Sequence, residues 1–124
     1  MATEIIVNDG GAPARIMPFS AGGTVAAGDC LQQTAYGVIA NGTSGSAALG
    51  VALTAATSGN LCNVVTGRGV QLKANCTGTI ALGGDLMCDG AGKLKADAGA
   101  AGDQTVAIAL EAGSGASTIK VLFF

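Results

Sequence analysis

The sequence contains no histidine and no tryptophan, and it carries little charge. Without His, the side chain that most often performs general acid–base catalysis and most often ligates transition metals is absent. Charged residues are 11% of the chain, well below the quarter or so of an ordinary domain. Disordered chains are charge-rich and apolar-poor, so this scarcity, beside 49% hydrophobic residues, argues for a folded protein. The six cations (Arg15, Arg68, Lys73, Lys93, Lys95 and Lys120) are scattered, and the net charge is −2. A nucleic-acid partner is not expected, because phosphate binding needs several cations on one face. Nor is a membrane expected: Gly breaks every apolar run within about ten residues, too few to span a bilayer. Met1–Gly10 lacks the basic start and long apolar stretch of a secretory signal.

The plentiful residues are small. Of 124 residues, 24 are Ala and 21 are Gly, over a third of the chain. The length suits one domain of ordinary size. Small side chains let backbones approach but bury little area, and at about 25 cal/mol per Å² the core they build is weak. Part of the missing burial is expected from partner subunits. The four cysteines, at 30, 62, 76 and 88, are too far apart for a zinc knuckle. With nothing to indicate an oxidising compartment, they read as buried free thiols that pack like small hydrophobes. No metal or other cofactor is expected. The sequons at Asn41 and Asn75 read as chance.

Gly, Asn, Asp, Ser and Thr punctuate the chain at intervals of roughly eight to twelve residues, the turn spacing of an all-β sandwich or barrel. Between them the chain alternates with period two, as strands do. Leu49, Val51 and Leu53 fall on one face, Gly50, Ala52 and Thr54 on the other; Val106, Ile108 and Leu110 oppose Ala107, Ala109 and Glu111; Ile119, Val121 and Phe123 oppose Lys120, Leu122 and Phe124. Asp89-Gly-Ala-Gly92 reads as a hairpin turn between Leu86–Cys88 and Lys93–Lys95. The Ala-rich stretch Ala96–Ala101 allows one short helical turn, interrupted by Gly99 and Gly102.

The chain also repeats itself. Ala27-Gly-Asp29-Cys-Leu resembles Gly83-Gly-Asp85-Leu-Met at an offset of 56, Gly50–Thr54 resembles Ala107–Glu111 at 57, and Asn60–Val65 matches Ser117–Leu122 at 57. Two similar β units are expected, near 22–66 and 78–123, in one small β-barrel or sandwich. Residues 1–13 stand apart as a candidate N-terminal arm before a body at 14–124. Asn8-Asp-Gly-Gly11 reads as turn or tether, and Pro18 places Arg15–Phe19 at an edge or strand end.

No catalytic constellation is found. There are 17 Ser or Thr and four Cys, but none has a base placed to activate it. Most of the aspartates (Asp9, Asp29, Asp85, Asp89 and Asp103) sit beside Gly in turn contexts, where their side chains bond nearby backbone N–H groups. Gly42-Thr-Ser-Gly-Ser lacks the Lys-Ser/Thr ending of a phosphate loop. Lys93 lies outside its hairpin turn, unlike the modified Lys of a carrier domain. An enzyme is not expected.

The order of motifs carries more. Gly22-Gly-Thr-Val25, Ala27-Gly-Asp29, Tyr36-Gly-Val38 and Leu49-Gly-Val-Ala52 are followed by Ile80-Ala-Leu-Gly-Gly-Asp-Leu86, Cys88-Asp-Gly90, Gly92-Lys-Leu94, Val106-Ala-Ile-Ala-Leu110 and Thr118-Ile-Lys-Val121. This succession, over about residues 14–123, resembles the small capsid-decorating (cement, or head-stabilising) proteins of tailed bacteriophages. One departure is that Met87 and Cys88 stand where that pattern often has an aromatic. The resemblance implies a β-barrel, a non-enzymatic structural role on the outer surface of the virion capsid, the major capsid protein as partner, and a homotrimer. Ile5, Ile6 and Val7 in the arm are the candidate capsid contacts, since a β-prone run on a tether suits strand addition at a neighbour's sheet edge. The alternative for residues 3–7 is an edge strand of the same barrel. The alternative function is another phage or surface β module, of the tail-fibre or receptor-binding type.

Overall fold

The computed structural model describes residues 6–8, 15–66 and 69–123. Among them are eleven strands and no helix, so the all-β class read from the period-two segments is the observed one. Strand β1 (Ile6–Asn8) is followed by two five-stranded units. In unit 1, β2 (Arg15–Ala21), β3 (Cys30–Ala35), β4 (Val38–Asn41), β5 (Gly50–Ala52) and β6 (Leu61–Thr66) close a barrel in the order β2-β4-β3-β5-β6. In unit 2, β7 (Gln71–Cys76), β8 (Asp85–Cys88), β9 (Leu94–Ala96), β10 (Ala107–Ala109) and β11 (Ser117–Phe123) take the same order. The first strand of each unit pairs parallel with its third, β2 with β4 and β7 with β9, and every other pairing is antiparallel.

The repeat holds at the level of single hydrogen bonds. Gly28 N–H donates to the Ala52 carbonyl at 2.8 Å, as Gly83 N–H does to Ala109 at 2.8 Å; Leu49 N–H donates to Leu31, as Val106 N–H does to Leu86. Val25 bridges Ala56 as Ile80 bridges Gly113. Counterparts therefore lie 55 residues apart before the β4–β5 connection and 57 apart after it, because the β9–β10 connection is two residues longer. This corrects one alignment. The sequence match set Asp29 against Asp85, but the structure sets Gly28 against Gly83. Both adopt positive φ (91° and 79°), a backbone that only glycine takes readily. Asp29 thus corresponds to Gly84, and Asp85 to Cys30.

The narrow barrels are filled by matched sets. Ala21, Leu31, Ile39, Ala52, Cys62 and Val64 pack in unit 1; their counterparts Cys76, Leu86, Leu94, Ala109, Ile119 and Val121 pack in unit 2. In β5 the small residues face inward and the large ones outward. Gly50 lies so close to β6 that a Cβ there would collide with the Val65 carbonyl. Val51 and Val65, on the outside of barrel 1, belong to the core of unit 2.

The loops follow local chemistry. Asp89 Oδ1 accepts from Ala91 N–H at 2.7 Å and Lys93 N–H at 3.0 Å, building the expected hairpin turn. Ala96–Ala101 forms no helical turn. Gly99 and Gly102 have positive φ, and Asp97 instead accepts from Gly99 N–H and Thr105 Oγ1. The Thr105 bond first, then the Gly99 bond, hold the Asp97 carboxyl below the usual range.

Candidate functional site

Two surfaces bear on assembly: the junction between the units and the open end of barrel 1. At the junction Asp29, only 6% exposed, is the buried charge among the described residues. Its Oδ2 accepts from Ala26 N–H at 3.0 Å, closing its own turn, and its Oδ1 accepts from Asn75 Nδ2 at 2.9 Å. The same Asn75 amide donates to the Ala27 carbonyl at 2.9 Å and accepts from Thr118 Oγ1 at 3.0 Å. A buried polar group keeps its cost low by being fully partnered, and here the partners come from both units. Cys30 N–H donates to the Gly92 carbonyl at 2.6 Å. Cys30 Sγ lies 2.9 Å from Cys88 Sγ. That hydrogen bond, followed by burial, pushes the Cys30 thiol up, while Cys88 is drawn down by the bond from Cys30. All four cysteines are free and buried, as read from the sequence.

The open end of barrel 1 forms a groove of about 490 Å³ lined by Met17, Phe19, Gln33, Tyr36, Leu49 and Thr66. None of these six is buried, and Ile16, Met17 and Tyr36 are 51%, 44% and 100% exposed. No charged side chain lines it. An exposed apolar groove of this kind is a candidate contact surface. Among the described residues no group of three or more Cys, Asp or Glu is placed to hold a metal. No helix is long and apolar enough to cross a membrane.

Of the residues singled out in the sequence, Ile6 and Val7 lie in β1, which pairs antiparallel with β7, setting Ile6 opposite Leu72 and Asn8 opposite Gln71. Over Ile6–Asn8 the backbone is thus paired within the chain. Ile5 and the remainder of the arm lie outside the described residues. Sequence reasoning missed the groove. Its signal was the pair Phe19 and Tyr36, half of the four aromatics in the chain, the latter at the tip of the two-residue turn between β3 and β4.

No protein-family model and no curated protein matches the sequence. A solved structure does share the fold: the head fiber gp8.5 N base of bacteriophage phi29, at a TM-score of 0.73 and 15% identity, covering 90% of this chain and 95% of that one. At that identity the likeness establishes the architecture alone, and it does so across both units.

Proposed function

We propose that the protein is a non-enzymatic structural component of a phage head, bound to the outer surface of the capsid. The observation that carries this reading is the end-to-end likeness to the base of a phage head fiber, reached independently of the motif order that resembles capsid-decorating proteins. The finer reading is a cement role. A homotrimer contacts several major capsid protein subunits, so that releasing any one subunit breaks several interfaces at once. β1 is its capsid-contact candidate, and subunit contacts supply the burial that an Ala- and Gly-rich core lacks. Capsids assembled without the protein are expected to form but to rupture at lower temperature or internal pressure. Unchanged capsid stability would remove the cement role.

The neighbour's description as a fiber base favours a second reading, in which the chain anchors a projection to the head. Loss of the protein would then remove the projection and leave capsid stability unchanged.

A further inference from the structure

The contact that joins the two units is one-sided. Unit 1 contributes its outer flank, where Cys30, Val51, Leu53 and Val65 pack into the core of unit 2. Unit 2 contributes the end of its barrel, where Leu72, Ala74, Cys88, Val106 and Phe123 are all buried. Because the units are repeats, each carries both surfaces, and one of each is left over. The leftover barrel end is the groove: Met17, Phe19, Gln33, Leu49 and Thr66 are the counterparts of those five buried residues. The leftover flank lies on unit 2. Ile108, Leu110 and Leu122 stand where Val51, Leu53 and Val65 stand in unit 1, and all three are only half-buried. Apolar character is kept at three of the four flank positions.

We propose that the groove of one copy receives the Ile108–Leu122 flank of a second copy of this chain, repeating between molecules the contact that joins the units within one. The fourth flank position supports this occupant. Asp85 is the counterpart of Cys30, and Gln33 is the counterpart of Cys88. Within the chain these positions hold the thiol pair at 2.9 Å. Between copies they bring an exposed carboxylate against an exposed carboxamide, and the Gln33 amide donates to Asp85. A self-partner therefore replaces one matched pair by another. The contact joins two different patches, so it is heterologous, and it builds a ring where the rotation closes. It is independent of which surface the assembled protein covers.

The test is sedimentation of the full chain from about 1 to 100 µM, a range that interfaces of ordinary size readily reach. Self-association is expected. Met17→Glu places a carboxylate in the apolar groove and is expected to weaken association at least about tenfold. Gln33→Asp sets like charges together and weakens it as well, and adding Asp85→Lys to Gln33→Asp in the same chain restores it. All three positions are exposed, so circular dichroism should not change, nor should the unfolding midpoint at concentrations where the wild type is monomeric. A monomeric wild-type chain, association indifferent to Met17→Glu, or a double variant that fails to recover would each overturn the proposal. A monomer that loses capsid binding on Met17→Glu would overturn it too, assigning the groove to the coat protein.

Discussion

Unit 1 and unit 2 share a strand order, a hydrogen-bond pattern and a set of interior residues, yet the same end of the barrel is buried in one and open in the other. In unit 2 this end is stoppered by the flank of unit 1, and small or purely apolar residues (Ala74, Cys88, Val106) suffice there. In unit 1 the corresponding positions hold Phe19, Gln33 and Leu49, two of them larger apolar side chains and one a carboxamide that keeps its partners in water. The difference teaches that a repeat can be read as a control for itself. Where counterparts agree, the fold imposes the residue; where they diverge, the surroundings do.

That comparison can be broken most sharply at β5. Gly50 corresponds to Ala107, but only Gly50 lies against a carbonyl that a Cβ would strike. Gly50→Ala is expected to destabilise by about 3 kcal/mol, the upper range of overpacking. Ala107→Gly is expected to cost only about 1 kcal/mol, mostly backbone entropy and one lost methyl. Denaturant unfolding of the two variants measures the asymmetry; equal losses would mean that β5 and β10 are not packed as described.

The junction is expected to give the next largest effect. Asn75→Ala strips the Asp29 carboxylate and the Ala27 carbonyl of their shared donor and is expected to cost about 2 kcal/mol, the desolvation penalty of buried groups left unpaired. Its counterpart Ser20→Ala should cost less than about 0.5 kcal/mol, a contrast that unfolding midpoints resolve. Asn75→Ala as mild as Ser20→Ala would remove the junction network from the account.

A smaller, pH-dependent effect separates Cys76 from its counterpart Ala21. Burial pushes the Cys76 thiol from an ordinary value near 9 up to about 12. A folded-state pKa above the unfolded one gives stability that is full below pH 9 and is lost as pH rises from 9 towards 12. Cys76→Ala, which copies unit 1, is expected to make the alkaline fall in stability shallower across that window. Superimposable pH profiles for wild type and variant would show that this thiol stays protonated in neither state or in both.

Much of the fold was legible because strands write a period of two into the sequence and left-handed turns demand glycine. The hairpin at Asp89–Gly92 and the two-unit repeat came from those signals. Their register did not, because the dipeptide Gly-Asp occurs at both β3 and β8 while the hydrogen bonds follow Gly28 and Gly83. The inward face of β5 was also illegible. Leu49, Val51 and Leu53 look like one core stripe, but only Leu49 packs, half-buried, against the interior of barrel 1, where Ala52 is buried; Val51 and Leu53 turn outward to the core of unit 2. That inversion leaves large apolar residues on the outside of each unit. The groove was hidden for a related reason. Its residues come from four separate segments, and only the comparison with unit 2 reveals that their burial is missing.

Tyr36 offers the most direct test of the open barrel end as the working surface. It is the single tyrosine in a chain without tryptophan, it is fully exposed, and it lines the groove, so the intrinsic fluorescence of the protein reports on that site alone. Quenching by acrylamide, a neutral probe, can be followed as the chain is concentrated from monomer to oligomer. If the groove is the contact surface, the quenching constant falls as association proceeds, and Met17→Glu abolishes the fall. A Tyr36 that stays as open to acrylamide in the oligomer as in the monomer would contradict the account.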